Sequence, residues 1–307
     1  MTSQRGGLRF GIHVPNFGDF GDARALGELA AAAETAGWDG FFLWDHILGD
    51  ATWRTPMVDP WIALTAIAMR TERIRIGPLV TALPRRRPWK VARETASLDR
   101  LSGGRLVLGV GLGFPPDAEY EHFGEDGALA SRARELDEGL EIVAGLWSGE
   151  PTSFAGTHYR MRETVFLPTP VQRVGADSRP GIPVWVAVHG TSEGPRRRAA
   201  RWDGVFPENP EGSRLTPAEV EALVRDIRER RSDDARFDVV VGARQADLAT
   251  GELDALAAAG VTWWLESIPP NVSLDAAMEL ATSGPPGRRT SERSGGRRGG
   301  RCRGPSD

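Results

Sequence analysis

Residues 60–111 read PWIALTAIAMRTERIRIGPLVTALPRRRPWKVARETASLDRLSGGRLVLGVG and contain one pattern twice. In each copy, a stretch with apolar residues three and four apart precedes a short β-branched run. The first copy pairs Pro60–Arg70 with Ile74–Val80, and the second pairs Trp89–Leu101 with Leu106–Val110. The pattern therefore predicts helices that alternate with buried strands. Strands separated by a helix are expected to pair in parallel.

The same alternation extends in both directions from this stretch. It predicts further strands at Leu8–Val14, Gly40–Trp44, Pro183–Val188, Gly204–Phe206, Asp238–Gly242 and Thr262–Leu265. It predicts further helices at Ala23–Ala36, Ser131–Trp147, Glu193–Arg201, Pro217–Arg231, Leu248–Ala259 and Leu274–Ala281. Eight strand–helix units in about 275 residues indicate a closed (β/α)8 TIM barrel. An open doubly wound sheet is the alternative, but such a sheet usually carries a glycine fingerprint after the first strand, where this chain reads HVPNFGDFGD.

Two segments depart from the alternation. Residues 148–180, with several Gly and Pro, predict an insertion with a small hairpin between the fourth helix and the fifth strand. Residues 284–307 carry seven Arg against two acidic residues and have no aliphatic or aromatic side chain, so this Arg/Gly-rich tail is predicted to be disordered. An arm that binds RNA or phosphate is the alternative reading of the tail. Residues 1–283 are then a single barrel domain.

Composition excludes several classes of protein. The chain has 307 residues and a net charge of −4, which gives no electrostatic reason to expect a nucleic acid or an anionic membrane as partner. It contains no apolar run of the roughly 18 residues that a membrane span needs and no secretory signal, so we expect a cytoplasmic protein. Cys302 is the single cysteine, which rules out an intrachain disulfide and a cysteine-based metal cluster.

The carboxyl ends of the strands are where a TIM barrel places its chemistry. Three of the five histidines fall there: His13, His46 and His189. A hydrogen-bonded structural role is the alternative for each of them. Gly190, Thr191 and Ser192 join the fifth strand to a helix start, and they predict a phosphate cradle of backbone N–H groups and hydroxyls. Ordinary helix capping is the alternative for these residues.

Other enzyme classes fit the sequence less well. Barrel hydrolases that bind divalent metals usually carry an HxH pair on the first strand, whereas this chain offers single histidines on separate strands. A metal-dependent barrel hydrolase therefore stays an alternative, with no metal site predicted. The chain has neither a GxSxG elbow nor a GxxxxGK[ST] loop, which disfavours a serine hydrolase and a P-loop nucleotidase.

Several blocks of the chain carry a family resemblance. AAAETAGWDGFFLWDH (31–46), LDRLSGGRLVLGVGLG (98–113) and ARWDGVFP (200–207) resemble the bacterial luciferase-like superfamily of flavin- and deazaflavin-dependent oxidoreductases. The likeness extends over nearly all of residues 8–270. It implies a TIM barrel whose mouth binds reduced FMN or the deazaflavin coenzyme F-420 (F420), with the phosphate held after the fifth strand. The resemblance also implies a homodimer.

The resemblance assigns cofactor roles to residues of this chain. It places Asp45 and His46 beside the ring system and Thr81 near the ring edge. Pro78–Leu79 matches the position where deazaflavin-using relatives carry a non-prolyl cis peptide that backs the ring. The resemblance also implies that the backbone of three residues approaches the cofactor and that four residues hold its phosphate. The first set is Gly111, Gly113 and Phe114, and the second is His189, Gly190, Thr191 and Ser192.

The chemistry that the resemblance implies depends on the cofactor, which supplies the redox step while the protein supplies protons. With reduced FMN and oxygen, the protein would oxygenate a small organic substrate and would depend on a flavin reductase as partner. With F420 it would transfer hydride directly. His46 is the expected proton donor or acceptor in both cases. We take the FMN monooxygenase as the first expectation, with the F420 enzyme and a non-catalytic flavin-binding protein as alternatives.

Substrate contacts are predicted from the residues around the same mouth. His13 is a candidate, and Trp44, Trp53 and Trp264 either line an apolar pocket or pack in the core. Two departures from the sugar-phosphate dehydrogenases of the superfamily bear on the substrate. Those enzymes place a Trp where this chain has Asp50 and a Glu where it has Phe114, so we do not expect that activity.

Overall fold

The computed structural model describes residues 7–189, 192–208 and 214–286. The strands in these residues are β1 (Arg9–Val14), β2 (Gly40–Leu43), β3 (Arg75–Pro78), β4 (Thr81–Ala82), β5 (Leu108–Gly111), β6 (Thr152–Ala155), β7 (Arg160–Thr164), β8 (Arg173–Val174), β9 (Arg179–Pro180), β10 (Val184–His189), β11 (Gly204–Glu208), β12 (Asp238–Ala243) and β13 (Trp263–Ser267). Nine of them form one parallel sheet in the order β3-β2-β1-β13-β12-β11-β10-β5-β4.

This sheet closes on itself between β3 and β5. Ile76 forms a parallel bridge with Leu106, and the Val107 N–H donates to the Ile76 carbonyl at 2.9 Å. Beyond a cis peptide between Leu79 and Val80, β4 continues the path of β3 and pairs with β5. Because β3 and β4 act as one bent strand, the sheet is an eight-stranded parallel barrel. The predicted (β/α)8 fold is confirmed.

Helices follow the barrel strands on the outside. In the described residues they are α1 (Ala23–Ala36), α2 (Pro60–Arg70), α3 (Pro88–Leu101), α4 (Pro116–Glu119), α5 (Leu129–Trp147), α6 (Glu193–Ala199), α7 (Pro217–Arg230), α8 (Glu252–Ala258) and α9 (Leu274–Ser283). Local signals fix their ends: Asp22 caps α1 by accepting two backbone N–H groups at 2.9 Å, and Thr216 forms a capping box with Glu219 at α7. Of these helices, the sequence did not predict the short α4.

Side chains that alternate along the strands fill the barrel. Its interior is an apolar cluster of Phe42, Leu79, Val107, Trp185, Phe206, Val240, Trp263 and Leu265. A second, larger cluster lies between the strands and the helices, and it includes Trp264. Because the barrel is filled from within, a ligand is confined to the mouth at the carboxyl ends of the strands.

The predicted insertion follows α5 in the chain and packs against the outer helices. β6 and β7 form an antiparallel hairpin, as expected, and β8 and β9 form a second short pair. The Glu138 carboxylate on α5 accepts the backbone N–H groups of Thr157, His158 and Tyr159 at the hairpin tip, at 2.7 to 3.0 Å. Arg93 of α3 lies 4.0 Å from the Phe166 ring centroid. No helix of the described residues has the length and apolarity to cross a membrane.

Candidate active site

His46 stands directly beyond the carboxyl end of β2, and its imidazole is held from one side. Nδ1 lies 2.9 Å from Oε1 of Glu119. The backbone of His46 is fixed by Asn16, whose side-chain amide accepts the His46 N–H at 3.2 Å and donates to the His46 carbonyl at 2.9 Å. The side chain is 23% exposed, and Nε2 has no hydrogen-bond partner among the described residues. The imidazole is therefore oriented through Nδ1, with Nε2 left for a ligand.

Glu119, at the end of α4, is a buried carboxylate surrounded by donors. Besides His46, the Arg85 guanidinium donates to it, and so do the backbone N–H groups of Gly49 at 2.9 Å and Ile47 at 3.3 Å. Burial favours the neutral acid, but the hydrogen bond from His46, the charge of Arg85 and the Gly49 N–H outweigh it and hold the pKa of Glu119 below its ordinary value. Glu119 is therefore an anion, which requires a proton on Nδ1 of His46. In the neutral imidazole, Nε2 then carries the lone pair.

Asp45 belongs to the same buried network. Its carboxylate accepts from Arg85 at 2.6 Å, from Arg86 at 2.7 Å and from the Thr81 hydroxyl at 2.5 Å. Arg85 thus bridges the two carboxylates of Asp45 and Glu119. The structure brings the predicted Asp45, His46 and Thr81 together. However, the Asp45 carboxylate and the Thr81 hydroxyl are buried and bonded to each other, which gives them a part in fixing the loop after β2.

Arg85, Arg86 and Glu119 were not among the predicted site residues. They lie 34 to 73 positions from the partners they meet, so no local pattern joins them. Their position in the predicted barrel could have identified them, since the two arginines follow the third strand and Glu119 follows the fourth. Charged side chains at those ends are candidates by the same rule that selected the histidines.

His13 is buried at the upper end of the barrel core. Nε2 lies 2.7 Å from the Leu79 carbonyl, and the ring lies 5.9 Å from that of Trp44. Burial lowers the pKa of His13 to about 4, against the smaller opposing effect of the Leu79 hydrogen bond. The neutral ring must therefore donate from Nε2 to the carbonyl, which leaves Nδ1 as an acceptor. The predicted substrate role of His13 stays a prediction.

The chain bulges between β3 and β4, at residues 79–80, and the cis peptide in this bulge lies one residue later than predicted. The resemblance assigned the non-prolyl cis peptide to Pro78–Leu79, whereas the structure places it between Leu79 and Val80. Gly111 and Gly113 face this bulge: a Cβ on Gly111 would lie 2.6 Å from Val80 Cγ2, and a Cβ on Gly113 would lie 2.8 Å from Ala82 Cβ. Close packing against the bulge therefore explains why both residues are glycines. The predicted approach of the cofactor to this backbone stays a prediction.

Aromatic rings stand beside His46. Phe17 lies 5.8 Å from the His46 ring, 5.9 Å from Trp44 and 4.8 Å from Trp53, measured between centroids. We call Phe17, Trp44 and Trp53 the aromatic wall. Trp53 is 40% exposed. Trp264 is buried in the outer cluster, between strands and helices, which agrees with the packing alternative and not with a place in the pocket.

The predicted phosphate cradle is only partly described. Gly190 and Thr191 lie outside the described residues, and Ser192 is the exposed N-cap residue of α6. His189 is exposed at the end of β10, where its Nε2 lies 2.9 Å from Oε2 of Glu208, and the hydrogen bond to that carboxylate raises the pKa of His189. Phe114 is 74% exposed on the loop after β5. The cofactor roles of these residues stay predictions.

A cleft of about 280 Å³ lies beside Arg85. It lies between the start of α3, the α4–α5 connection and the insertion hairpin, and it is lined by Pro84, Arg85, Arg86, Arg87, Tyr120, Glu125, Asp126, Glu135, His158 and Tyr159. His158 pairs with Glu135 at 3.4 Å. In the described part of the chain, no group of three or more His, Cys, Asp or Glu side chains could hold a metal ion.

A (β/α)8 barrel with a polar site at its mouth is the architecture of the TIM-barrel enzymes. The comparison with known families identifies which of them this chain resembles. The chain matches the luciferase-like monooxygenase family over residues 8–299 and belongs to it. An uncharacterized protein of Mycobacterium tuberculosis (strain ATCC 25618 / H37Rv) is 30% identical over 229 residues, which are 69% of this chain and 74% of that protein. An F420-dependent glucose-6-phosphate dehydrogenase of Tsukamurella paurometabola is 34% identical over 174 residues, which are 54% of this chain and 48% of that enzyme.

Solved structures share the fold. An F420-dependent secondary alcohol dehydrogenase, in complex with an F420-acetone adduct, has a TM-score of 0.69 at 16% identity and covers 90% of this chain and 99% of that one. A monooxygenase from Streptomyces bottropensis has a TM-score of 0.65 at 21% identity, with 89% of this chain and 98% of that one covered. Of these similar proteins, the two dehydrogenases are F420-dependent, and the Streptomyces bottropensis protein is a monooxygenase.

Proposed function

We propose that the protein is an F420-dependent oxidoreductase that transfers hydride between the deazaflavin and a small alcohol or carbonyl compound. The observation that carries this proposal is the pairing of His46 with the buried anion Glu119 at the mouth of the barrel. Hydride transfer to or from a carbon–oxygen bond needs a group that takes up or gives the oxygen's proton. His46 Nε2, partly exposed and oriented through Nδ1, is suited to that task.

The residues at the mouth fit a planar ring cofactor. Ala187 is a small, only partly buried residue that follows Trp185 on the inner face of β10, so this side of the mouth is not filled by a large side chain. Gly111 and Gly242 are already closely approached by Val80 and Ser267. Nδ1 of His13 is an acceptor that suits the polar edge of such a ring, which leaves Nε2 of His46 for the substrate. We expect Ser192, with Gly190 and Thr191, to hold the phosphate.

The similar proteins favour F420 over FMN as the proposed cofactor, although FMN was our first expectation from the sequence. The Tsukamurella enzyme, at 34% identity, and the secondary alcohol dehydrogenase, 99% of whose chain is matched by the fold of this one, are both F420-dependent. Their substrates carry a hydroxyl on the reacting carbon. An alcohol/carbonyl pair is therefore the substrate class that we assign to this site.

Bound F420 supplies the hydride chemistry. In the oxidation direction the alcohol carbon loses a hydride, and His46 Nε2 accepts the hydroxyl proton, so that a carbonyl results. In the reverse direction the same nitrogen returns the proton to the carbonyl oxygen. Glu119 stabilises the cationic imidazole through Nδ1, and Arg85 keeps that carboxylate ionised without reaching Nε2 itself.

An FMN-dependent monooxygenase is the second candidate. The family's own description and the likeness to the Streptomyces bottropensis monooxygenase favour it. His46 would then act as the proton donor to the reacting oxygen, and a flavin reductase would be the partner that delivers reduced FMN.

Oxygen dependence separates the two candidates. Purified protein is incubated with oxidised F420 and a panel of small alcohols, with oxygen excluded, and reduction of the deazaflavin is followed. We expect reduction by members of the panel, and His46→Ala to slow it by roughly 10²-fold or more. Product formation that requires both oxygen and reduced FMN would overturn the proposal in favour of the second candidate.

A further inference from the structure

We infer that the substrate is a neutral, apolar alcohol or carbonyl compound, such as a cyclic or aromatic one, and that the aromatic wall of Phe17, Trp44 and Trp53 binds it next to His46. The inference rests on the proposed function, since it names the substrate of that same site. It begins from the position of the wall: Phe17 contacts the His46 ring and both tryptophans. Trp53 offers the exposed face of the wall, and the buried Phe17 connects it to the imidazole, so a substrate on Trp53 would lie near His46.

The wall is held in place by the same carboxylate that holds His46. Glu119 accepts the backbone N–H groups of Ile47 and Gly49, which belong to the loop that carries Trp53. Gly49 lies beneath the Trp53 ring, because a Cβ there would fall 2.5 Å from Trp53 Cζ3. Trp53 and the imidazole are thus fixed relative to each other. A fixed aromatic face beside a proton-transferring group favours an apolar substrate of defined shape.

The charges around the wall argue against a phosphorylated substrate. Arg85 and Arg86 belong to the network that holds His46, and both are bonded to Asp45 or Glu119, with side chains only 4% and 16% exposed. Asp50, exposed on the same loop as Trp53, adds a negative charge. Arg54 turns its Nη1 to the carbonyls of Ala51 and Trp53.

The rim of the mouth continues the apolar character of the wall. Ile47, Phe114 and Phe123 are large apolar side chains that stay exposed on the loops after β2 and β5. Clusters of exposed apolar residues commonly mark ligand or partner sites. Ile47, which follows His46 directly in the chain, would extend the apolar surface beside the imidazole.

Two variants test the inference. Trp53→Ala removes the exposed face of the wall. Trp89→Ala is the matched control, because Trp89 is also partly exposed but lies on α3 against Tyr159 of the insertion hairpin. For the wild type with F420, we expect kcat/KM for cyclohexanol and benzyl alcohol to exceed that for glucose 6-phosphate by 10²-fold or more, roughly the cost of leaving a phosphate without a cationic partner.

In Trp53→Ala, KM for benzyl alcohol should rise roughly tenfold, with the Kd of F420 unchanged, whereas Trp89→Ala should match the wild type. A preference for glucose 6-phosphate would overturn the inference. So would a loss of F420 affinity in Trp53→Ala without a change in KM, since the wall would then belong to the cofactor.

Ligand binding separates failure of this inference from failure of the proposed function. Saturation-transfer NMR with benzyl alcohol, in the absence of cofactor, should show contact with the wild type and with Trp89→Ala, and much weaker contact with Trp53→Ala. If F420 does not bind but this NMR contrast is present, the pocket assignment holds and the cofactor assignment fails. If F420 binds and the contrast is absent, the wall does not bind the substrate.

Discussion

Oε1 of Glu119 lies 2.9 Å from Nδ1 of His46, and the same oxygen accepts the Gly49 N–H at 2.9 Å. One buried carboxylate thus sets the tautomer of the imidazole and the course of the loop that follows it. Because Arg85 joins Glu119 to Asp45, the segments after β2, β4 and β5 are tied together beneath the mouth.

Glu119→Gln should slow turnover while leaving the fold intact. The amide keeps the size of the side chain but cannot stabilise a cationic imidazole, so we expect a loss of roughly 10²-fold in kcat. The acid limb of the pH–rate profile for alcohol oxidation should move to lower pH. Glu121→Gln, an exposed glutamate two residues along, is the control and should behave as the wild type. An unchanged pH profile in Glu119→Gln would show that the carboxylate does not act through His46.

Arg85→Met should destabilise the protein, because it leaves Glu119 without its cation in a buried environment. Removing one partner of a buried ion pair costs about 3 kcal/mol or more. Arg87→Met changes the exposed arginine two positions along and should stay within about 0.5 kcal/mol of the wild type. Urea unfolding at pH 7 measures both values. Equal stability of the two variants would mean that the network is not a stabilising unit.

Two buried groups should make opposite contributions to the pH dependence of stability. Burial lowers the pKa of His13 from 6.5 to about 4, so on acidification the unfolded chain binds a proton before the folded one and stability is lost. Burial raises the pKa of Glu266 from 4.5 to about 7, so between these values the folded chain holds a proton that the unfolded chain releases, and stability is gained on acidification. Each effect amounts to about 2 kcal/mol between pH 7 and pH 5.

Single substitutions should reveal these opposing effects. Glu266→Gln should lose about 2 kcal/mol more than the wild type when the pH falls from 7 to 5, and His13→Gln should lose about 2 kcal/mol less. Urea unfolding of the wild type and the two variants at the two pH values gives the six free energies that are needed. The account of His13 as a buried neutral imidazole fails if His13→Gln follows the wild-type pH dependence.

Gly111→Ala should be destabilising because its Cβ would lie 2.6 Å from Val80 Cγ2. Overpacking of this kind costs about 1–3 kcal/mol. Gly194→Ala, on α6, is the matched control, since a Cβ there would meet nothing within 4 Å. We expect the control to be neutral or slightly stabilised in thermal unfolding. If the two variants melt at the same temperature, β5 has more room at the bulge than its packing indicates.

The barrel was predictable because its signals are local. Helices α1 and α2 have the predicted bounds, since an N-cap or Pro at one end and a change of apolar spacing at the other mark them within a few residues. The separate course of β4 was missed, because Ile74–Val80 was predicted as a single strand, although Gly77 and Pro78 within it are a turn signal, and Thr81 and Ala82 were left outside it.

The site was predictable only in part, since its contacts are made across the barrel. His46 could be placed from its position after a strand, but Glu119 is 73 residues away and its role appears only when α4 is folded. Trp264 shows a second limit. Trp263 and Trp264 are neighbours on β13, and the period of two sends one into the barrel and the other to the helices, but two identical residues do not indicate which.

Cofactor preference is the most direct test of the central claim, that F420 works with His46 at this mouth. Purified full-length protein is titrated with F420 and with FMN, each oxidised and reduced, and fluorescence quenching gives the four dissociation constants. We predict that F420 binds at least roughly tenfold more tightly than FMN in the matching redox state. Tighter binding of reduced FMN would contradict the account and indicate oxygen activation at the same site.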